Sequence, residues 1–201
     1  MNIEDQWHRL KVWCASNGLR NHGLRKPATE SALDALEKVV GCHLPDAMFL
    51  SYRVHDGQNE DATPLFAGLG RLNSVKEIEA RWQADQWHLA ATRGAPARLS
   101  ADGWFHTNRY WPHRIPIAGG VEGLAAYIDF SPGPEGFAGQ ILVSVDEGEF
   151  VVYAEGFEHL LERTLGLMES KHLQVVNGTI ERTGRPFIEH PATTLALSRG
   201  R

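Results

Sequence analysis

Apolar positions in the first ninety residues recur at helical spacing. Ile3, Trp7, Leu10 and Cys14 follow i, i+4, i+7, i+11, and Asn17-Gly18 supplies a stop, which predicts a first amphipathic helix. Thr29 is placed to cap a second helix, with Leu33, Leu36 and Val40 on one face and Gly41 as its left-handed ending. Leu44-Pro45 opens a third, with proline expected at the first helical position, Phe49 and Tyr52 at helical spacing, and His55-Asp56-Gly57 as its end. Thr63-Pro64 introduces LFAGL (65–69), a short apolar stretch expected to be an edge strand. Ser74-Val75-Lys76-Glu77 then matches the reciprocal S-x-x-E capping box of a fourth helix. Along it Val75, Ile78, Trp82 and Leu89 share a side, whereas Trp87 falls about 120° away at about 100° per residue and needs another neighbour.

Residues 91–113 have no clean period and carry Gly94, Pro96, Gly103 and Pro112, so they read as a long loop or insertion. The segment holds Trp104, Phe105, His106, Tyr110 and Trp111, and so aromatic a loop is expected to be pinned to something. From there the period changes to that of strands. RIPIA (114–118), AAYIDF (125–130), QILVSV (140–145) and EFVVYA (149–154) are short, β-rich and separated by turn residues, as in an antiparallel meander. No helix-length spacer lies between them, which disfavours parallel βαβ units. Phe157, Leu160, Leu161, Leu165 and Met168 predict a last helix over 157–170. Asn177-Gly178 between Val176 and Thr179 is the strongest short-range hairpin signal in the chain. After Arg185-Pro186 the tail thins and is expected to be poorly ordered. The pattern is that of an α+β protein with a mainly antiparallel sheet.

Composition narrows the function classes. The 201 residues suffice for one domain with decorations, and 42% hydrophobic content suffices for a core. Twenty basic against twenty-five acidic residues give −5, with no basic run to neutralise phosphates, so nucleic acid is not an expected direct partner. Cys14 and Cys42 form no C-x-x-C pair and have no histidines at zinc-finger spacing, and both are expected as small buried thiols. The N-terminus lacks the pattern of a signal peptide, and no apolar run approaches the roughly 20 residues of a membrane span, so a cytoplasmic protein is expected.

No pattern points to catalysis or to a cofactor. Gly133, Gly136 and Gly139 lie three apart between two strands, without the lysine or the strand-to-helix context of a phosphate loop. They read instead as backbone-permissive positions in a long connection. Ten histidines include no H-E-x-x-H and no H-x-H, and the spacing of His106 and His113 fits no common metal motif. The run from Asp56 to Asp61 resembles a calcium loop, but its sixth and twelfth places hold Asp61 and Ala67 instead of glycine and a carboxylate. No G-x-S-x-G elbow occurs, and Asp146, Glu147 and Glu149 cluster at a predicted hairpin tip where solvated acids are the default.

The order of several turns carries more information than any one motif. LPDAMFLSYRVHDGQ (44–58), LFAGLGRLNSVKEIEARW (65–82), WPHRIPIAGG (111–120), AYIDFSPGPEGFAGQILVS (126–144) and YAEGFEHLLE (153–162) together resemble the SMI1/KNR4 family, also called the SUKH superfamily, over about residues 29–170. The chain differs in the longer 91–110 segment and in VEGLAA (121–126), where relatives often show Gly-Asp. The resemblance divides the chain into an N-terminal helix and linker (1–28), the family domain (29–170, with the aromatic insertion 91–113) and a C-terminal hairpin and tail (171–201). It implies several helices packed on a strongly bent antiparallel sheet. It also implies a function in binding: bacterial members are immunity proteins that neutralise a cognate toxin, often a nuclease or nucleic-acid-modifying one, and fungal members are hubs in cell-wall synthesis and signalling.

On that implication the expected partner is a basic toxin domain, toward which a chain of −5 would be steered. A few aromatic anchors ringed by acids would carry the contact. Trp87, Trp104 and His106 are the candidate anchors, and Asp56, Glu60 and Asp61 the candidate acidic rim. The alternative is a regulatory or scaffold module with an endogenous protein client.

Overall fold

The computed structural model describes residues 2–66, 69–92, 96–121, 124–146 and 149–183. Residues 67–68 of the expected edge strand, residues 122–123, Glu147 of the acidic tip and the tail from 184 onward lie outside the described residues.

Each of the first two helices begins where a side chain satisfies an orphan N–H. Asn2 Oδ1 accepts from Glu4 N at the start of α1 (Ile3–Ser16), and Thr29 Oγ1 accepts from Ala32 N at the start of α2 (Glu30–Val40). Gly41 ends α2 at φ +73°. Pro45 sits one place earlier than expected, at the N-cap of α3 (Asp46–Tyr52). The capping box is complete on α4 (Val75–Ala91): Ser74 N donates to Glu77 Oε2 at 2.7 Å, and Glu77 N to Ser74 Oγ at 3.3 Å.

The sheet order is β1 (Arg71–Leu72), β2 (Arg114–Val121), β3 (Leu124–Asp129), β4 (Gln140–Asp146), β5 (Glu149–Ala154), with every pair antiparallel. The last four are the expected meander. Among the described residues the edge strand is Arg71–Leu72, and Phe66 before it forms an isolated bridge with Gly70. Leu65 N and Leu72 N both donate to the side chain of Gln58, which ties the two together. Register shifts in β2 at Pro116/Ala118 and Ala118/Val121 bend the sheet, as bulges do.

The period of two sorts the strand residues between two faces. Ile115, Ile117, Ala126, Ile128, Ile141, Val143 and Val151 face the helices in the main core. α1 is part of that core: Trp7 is fully buried, donates from Nε1 to Ser51 Oγ at 2.8 Å, and meets Phe66 edge-on. α5 (Phe157–Glu169) packs beside it, and Trp13 Nε1 donates to Met168 O. The hairpin β6 (Leu173–Val176) and β7 (Thr179–Arg182) is a separate two-stranded sheet whose Leu173 and Ile180 are buried in the same core. Asn177 (φ +51°) and Gly178 (φ +78°) make the turn that the sequence predicts. Cys14 is buried and its thiol is pushed up to about 11 by that burial, whereas Cys42, expected to be buried, is only half-buried at the edge of α2.

The opposite face of the sheet carries Leu142, Phe150 and Val152, and the 96–113 segment covers it by placing Phe105 among them with Trp104 and Tyr127 alongside. Within the segment Ser100 N donates to Phe105 O and Thr107 N to Arg98 O, making a short hairpin-like turn. This cover explains the glycines of the β3–β4 connection differently from the sequence reading. Gly139 alone has positive φ, at +89°. Gly133 and Gly136 are required by close approach: a Cβ on either would lie 2.1 Å from the carbonyl oxygen of Gly103 or Trp104.

Candidate partner-binding surface

Arg114 begins β2, Asp129 ends β3 and Gln140 begins β4, and the register sets Asp129 opposite both of the others. The pleat turns all three toward the covered face. Arg114 is 2% exposed and Asp129 and Gln140 are fully buried. Arg114 Nη2 lies 3.8 Å from Asp129 Oδ2, and Gln140 Nε2 donates to the same oxygen at 3.3 Å. The other carboxylate oxygen accepts from Ser131 N at 3.1 Å. Burial lowers the Arg114 pKa, and the facing Asp129 carboxylate is the chief force opposing that shift.

The remaining donors of this network reach into the aromatic segment. Arg114 donates to Asn108 O and His106 O, both at 2.9 Å, and Gln140 Nε2 to Trp104 O at 3.1 Å. The guanidinium also lies 4.6 Å above the Phe150 ring. A buried ionic network therefore pins three backbone carbonyls of one loop to the sheet. On its outer side Trp104 stands edge-on to Phe137 at 5.6 Å, Leu99 lies against Gly133, and Leu99 and Phe137 remain 46% and 40% exposed. Asp102 and Glu135 are exposed beside this patch.

The other ring contacts link the segment to α4. His88 stacks on Tyr110 at 4.8 Å between centroids, Trp87 meets His88 edge-on at 4.9 Å, and Arg109 sits over the Tyr110 ring. Trp87 is 69% exposed, the most open large apolar side chain described. His106 is half-buried, stacked on Trp111 at 3.9 Å, and burial lowers its pKa. That placement makes His106 a part of the loop's own packing more than an open anchor.

The candidate acids lie elsewhere. Asp56 is half-buried and its Oδ1 accepts from Val75 N at 2.7 Å, an added cap on α4; burial raises its pKa against that bond and the nearby Arg25. Glu60 and Asp61 are exposed in the same turn. Trp87 is twelve residues further along α4, about 18 Å at 1.5 Å per residue, so the acids do not ring it. The carboxylates that do border Trp104 are Asp102 and Glu135. Arg114, Asp129, Gln140 and Phe137 are the residues that sequence reasoning passed over, and Tyr110 was noted only as one ring of the segment. For the first three the available signal was a charge or amide at the end of each apolar strand, at positions that alternate away from the core.

One further acid stands under α4. Asp85 is faced by Arg81 and His88 of its own helix, Arg109 of the aromatic segment, Arg114 of β2 and Tyr127 of β3. Burial pushes its carboxyl up to about 6 in spite of those cations. In the window between 3.8 and about 6 the folded chain binds a proton that the unfolded chain releases, so this group's penalty is present above 6 and is relieved as pH falls. Asp85→Asn is therefore expected to raise stability at neutral pH by about 1 kcal/mol, discounted for solvent screening, and to flatten the pH profile around 6. Urea midpoints at neutral and mildly acidic pH check this; a lower midpoint for the variant at neutral pH contradicts it.

Among the described residues no three His, Cys, Asp or Glu gather in a way that could hold a metal ion, and no helix is long and apolar enough to cross a membrane. Among the described residues, five helices on a bent antiparallel sheet define an α+β fold of the SMI1/KNR4 type. The model of the SMI1 / KNR4 family (SUKH-1) matches residues 27–163, and the chain belongs to that family. It is similar to the cell wall biosynthesis/cell cycle regulator smi1 of Schizosaccharomyces pombe, 27% identical over 157 residues that make up 70% of this chain and 31% of that protein. A shorter stretch is similar to F-box only protein 3 of Mus musculus and of Homo sapiens, 33% identical over 75 residues, 37% of this chain and 16% of theirs. The chain thus spans less than a third of the length of these relatives.

Proposed function

We propose that the chain is a cytoplasmic immunity protein that binds a cognate basic toxin, such as a nuclease or nucleic-acid-modifying toxin, and neutralises it stoichiometrically without catalysis. The observation that supports this reading is a pinned aromatic loop. Its backbone is held by buried Arg114 and Gln140, while Leu99, Trp104 and Phe137 are offered at the surface beside Asp102 and Glu135. Pre-ordering a loop lowers the entropy cost of binding, and an apolar centre with an acidic border suits a basic partner. Membership of the SMI1/KNR4 family agrees with a function in protein–protein contacts.

Where a neighbouring gene encodes a large secreted protein with a toxic C-terminal domain, co-expression is expected to rescue growth and the two chains to co-purify. Toxicity undiminished by co-expression would sink the reading. The second reading, a regulatory module for an endogenous client, is favoured by the similarity to smi1 over 70% of the chain. Retrieval of a host protein of cell-wall synthesis in place of a toxin would support it.

A further inference from the structure

Charge is distributed unevenly along this acidic chain. Residues 81–114 hold five arginines against two aspartates, a net of +3, while the remainder holds fifteen basic against twenty-three acidic residues, a net of −8. Asp102 belongs to the Leu99–Trp104–Phe137 side, where its Oδ1 accepts from Ser100 Oγ, so at the Trp87 face Arg81 and Arg109 are offset in part by Asp85 alone. The face itself is composite: exposed Trp87 against His88, His88 stacked on Tyr110, Arg109 over Tyr110, and Arg81 about two turns before His88 on the helix, beside Asp85. Because the stack joins a helix to a loop that Arg114 anchors, the rings and cations are held in place before any partner arrives.

We propose that this Trp87–His88–Tyr110 face, flanked by Arg81 and Arg109, is a second docking surface that takes an acidic segment of a partner protein. Exposed tryptophan, tyrosine and arginine are the residue types that dominate protein interfaces. The cations select carboxylates, the exposed Arg109 guanidinium has the fork geometry for bidentate pairing, and the rings cover the aliphatic stems. A nucleic-acid strand fits less well. It needs a basic track along its backbone, and this face offers only the two arginines that flank its rings, with Asp85 beside them. The surface is distinct in residues and in charge from the acid-bordered patch assigned to the toxin.

The test uses the full chain and fluorescence anisotropy with labelled oligoglutamate, oligolysine and oligo(dT) of equal length at low salt. Oligoglutamate is expected to bind, with binding weakened by salt and reduced at least about tenfold by Trp87→Ala or by Arg81→Glu with Arg109→Glu. Phe137→Ala is expected to leave oligoglutamate binding unchanged, and Trp87→Ala to leave toxin co-purification unchanged. Because Trp87 and Arg109 are exposed, unaltered urea midpoints separate lost binding from lost folding. No oligoglutamate binding, binding indifferent to these substitutions, or equally tight binding of oligo(dT) would overturn the proposal.

Discussion

Arg114→Leu is expected to cost about 3–5 kcal/mol, the range seen when one partner of a buried ion pair is removed. The reason lies in what stays behind. Asp129 is fully buried, and without the guanidinium its carboxylate keeps only Ser131 N and Gln140 Nε2 as partners. The carbonyls of His106 and Asn108 lose their donors at the same time. The aromatic segment should then lift before the rest of the domain unfolds. Gly133 N and Glu135 N, which donate to Trp104 O and Gly103 O, report on that step by faster amide exchange. Adding Asp129→Leu is expected to recover part of the loss, because no buried charge is then orphaned. A single-variant cost under about 1 kcal/mol, or unchanged exchange at those two amides, contradicts the assigned role.

Gln58→Leu is expected to destabilise the other end of the sheet by roughly 3 kcal/mol or more, as several buried groups lose partners at once. The Gln58 side chain is fully buried. Its Nε2 donates to His22 O at 2.7 Å and Thr63 O at 2.8 Å, and its Oε1 accepts from Leu72 N at 3.2 Å and Leu65 N at 3.4 Å. One amide thus joins the segment before α2, the 63–65 loop and strand β1. Leucine fills a similar volume and meets none of those groups. The urea midpoint should fall, with amide exchange at Leu65 and Leu72 accelerating most. A midpoint within experimental error of the parent chain would mean that water or neighbouring groups replace the amide, against this account.

These two sites also show where sequence reasoning stopped. The four long strands, the capping box at Ser74 and the Asn177-Gly178 hairpin were legible because each rests on local chemistry or on a period of two or 3.6 within a few residues. Gln58 and Arg114 were not, since their partners lie up to 36 residues away and in no repeating pattern. Asp56 is a case of a correct motif given the wrong exposure. An Asp-Gly pair after a helix reads as a solvated turn, yet the turn folds against α4 and the carboxylate becomes a cap. Gly57 shows the same closeness, for a Cβ there would meet the Asn73 backbone at 2.6 Å. The aromatic segment was recognisable as pinned, but what pins it was hidden in Arg114, Asp129 and Gln140, which were read only as members of their strands. Among the candidate anchors, Trp104 does stand at a surface patch and Trp87 at a separate one, a division that composition alone could not make.

The proposed immunity role rests on occupancy: a fixed surface would neutralise a toxin by covering it. The direct measurement is a titration of purified toxin domain with purified chain, following toxin activity and complex mass together. Activity should fall in proportion to added chain and reach zero at one chain per toxin, with Trp104→Ala or Phe137→Ala shifting the end point to excess. Full activity at a large excess of chain, or complete inactivation by a small fraction of an equivalent, would contradict it.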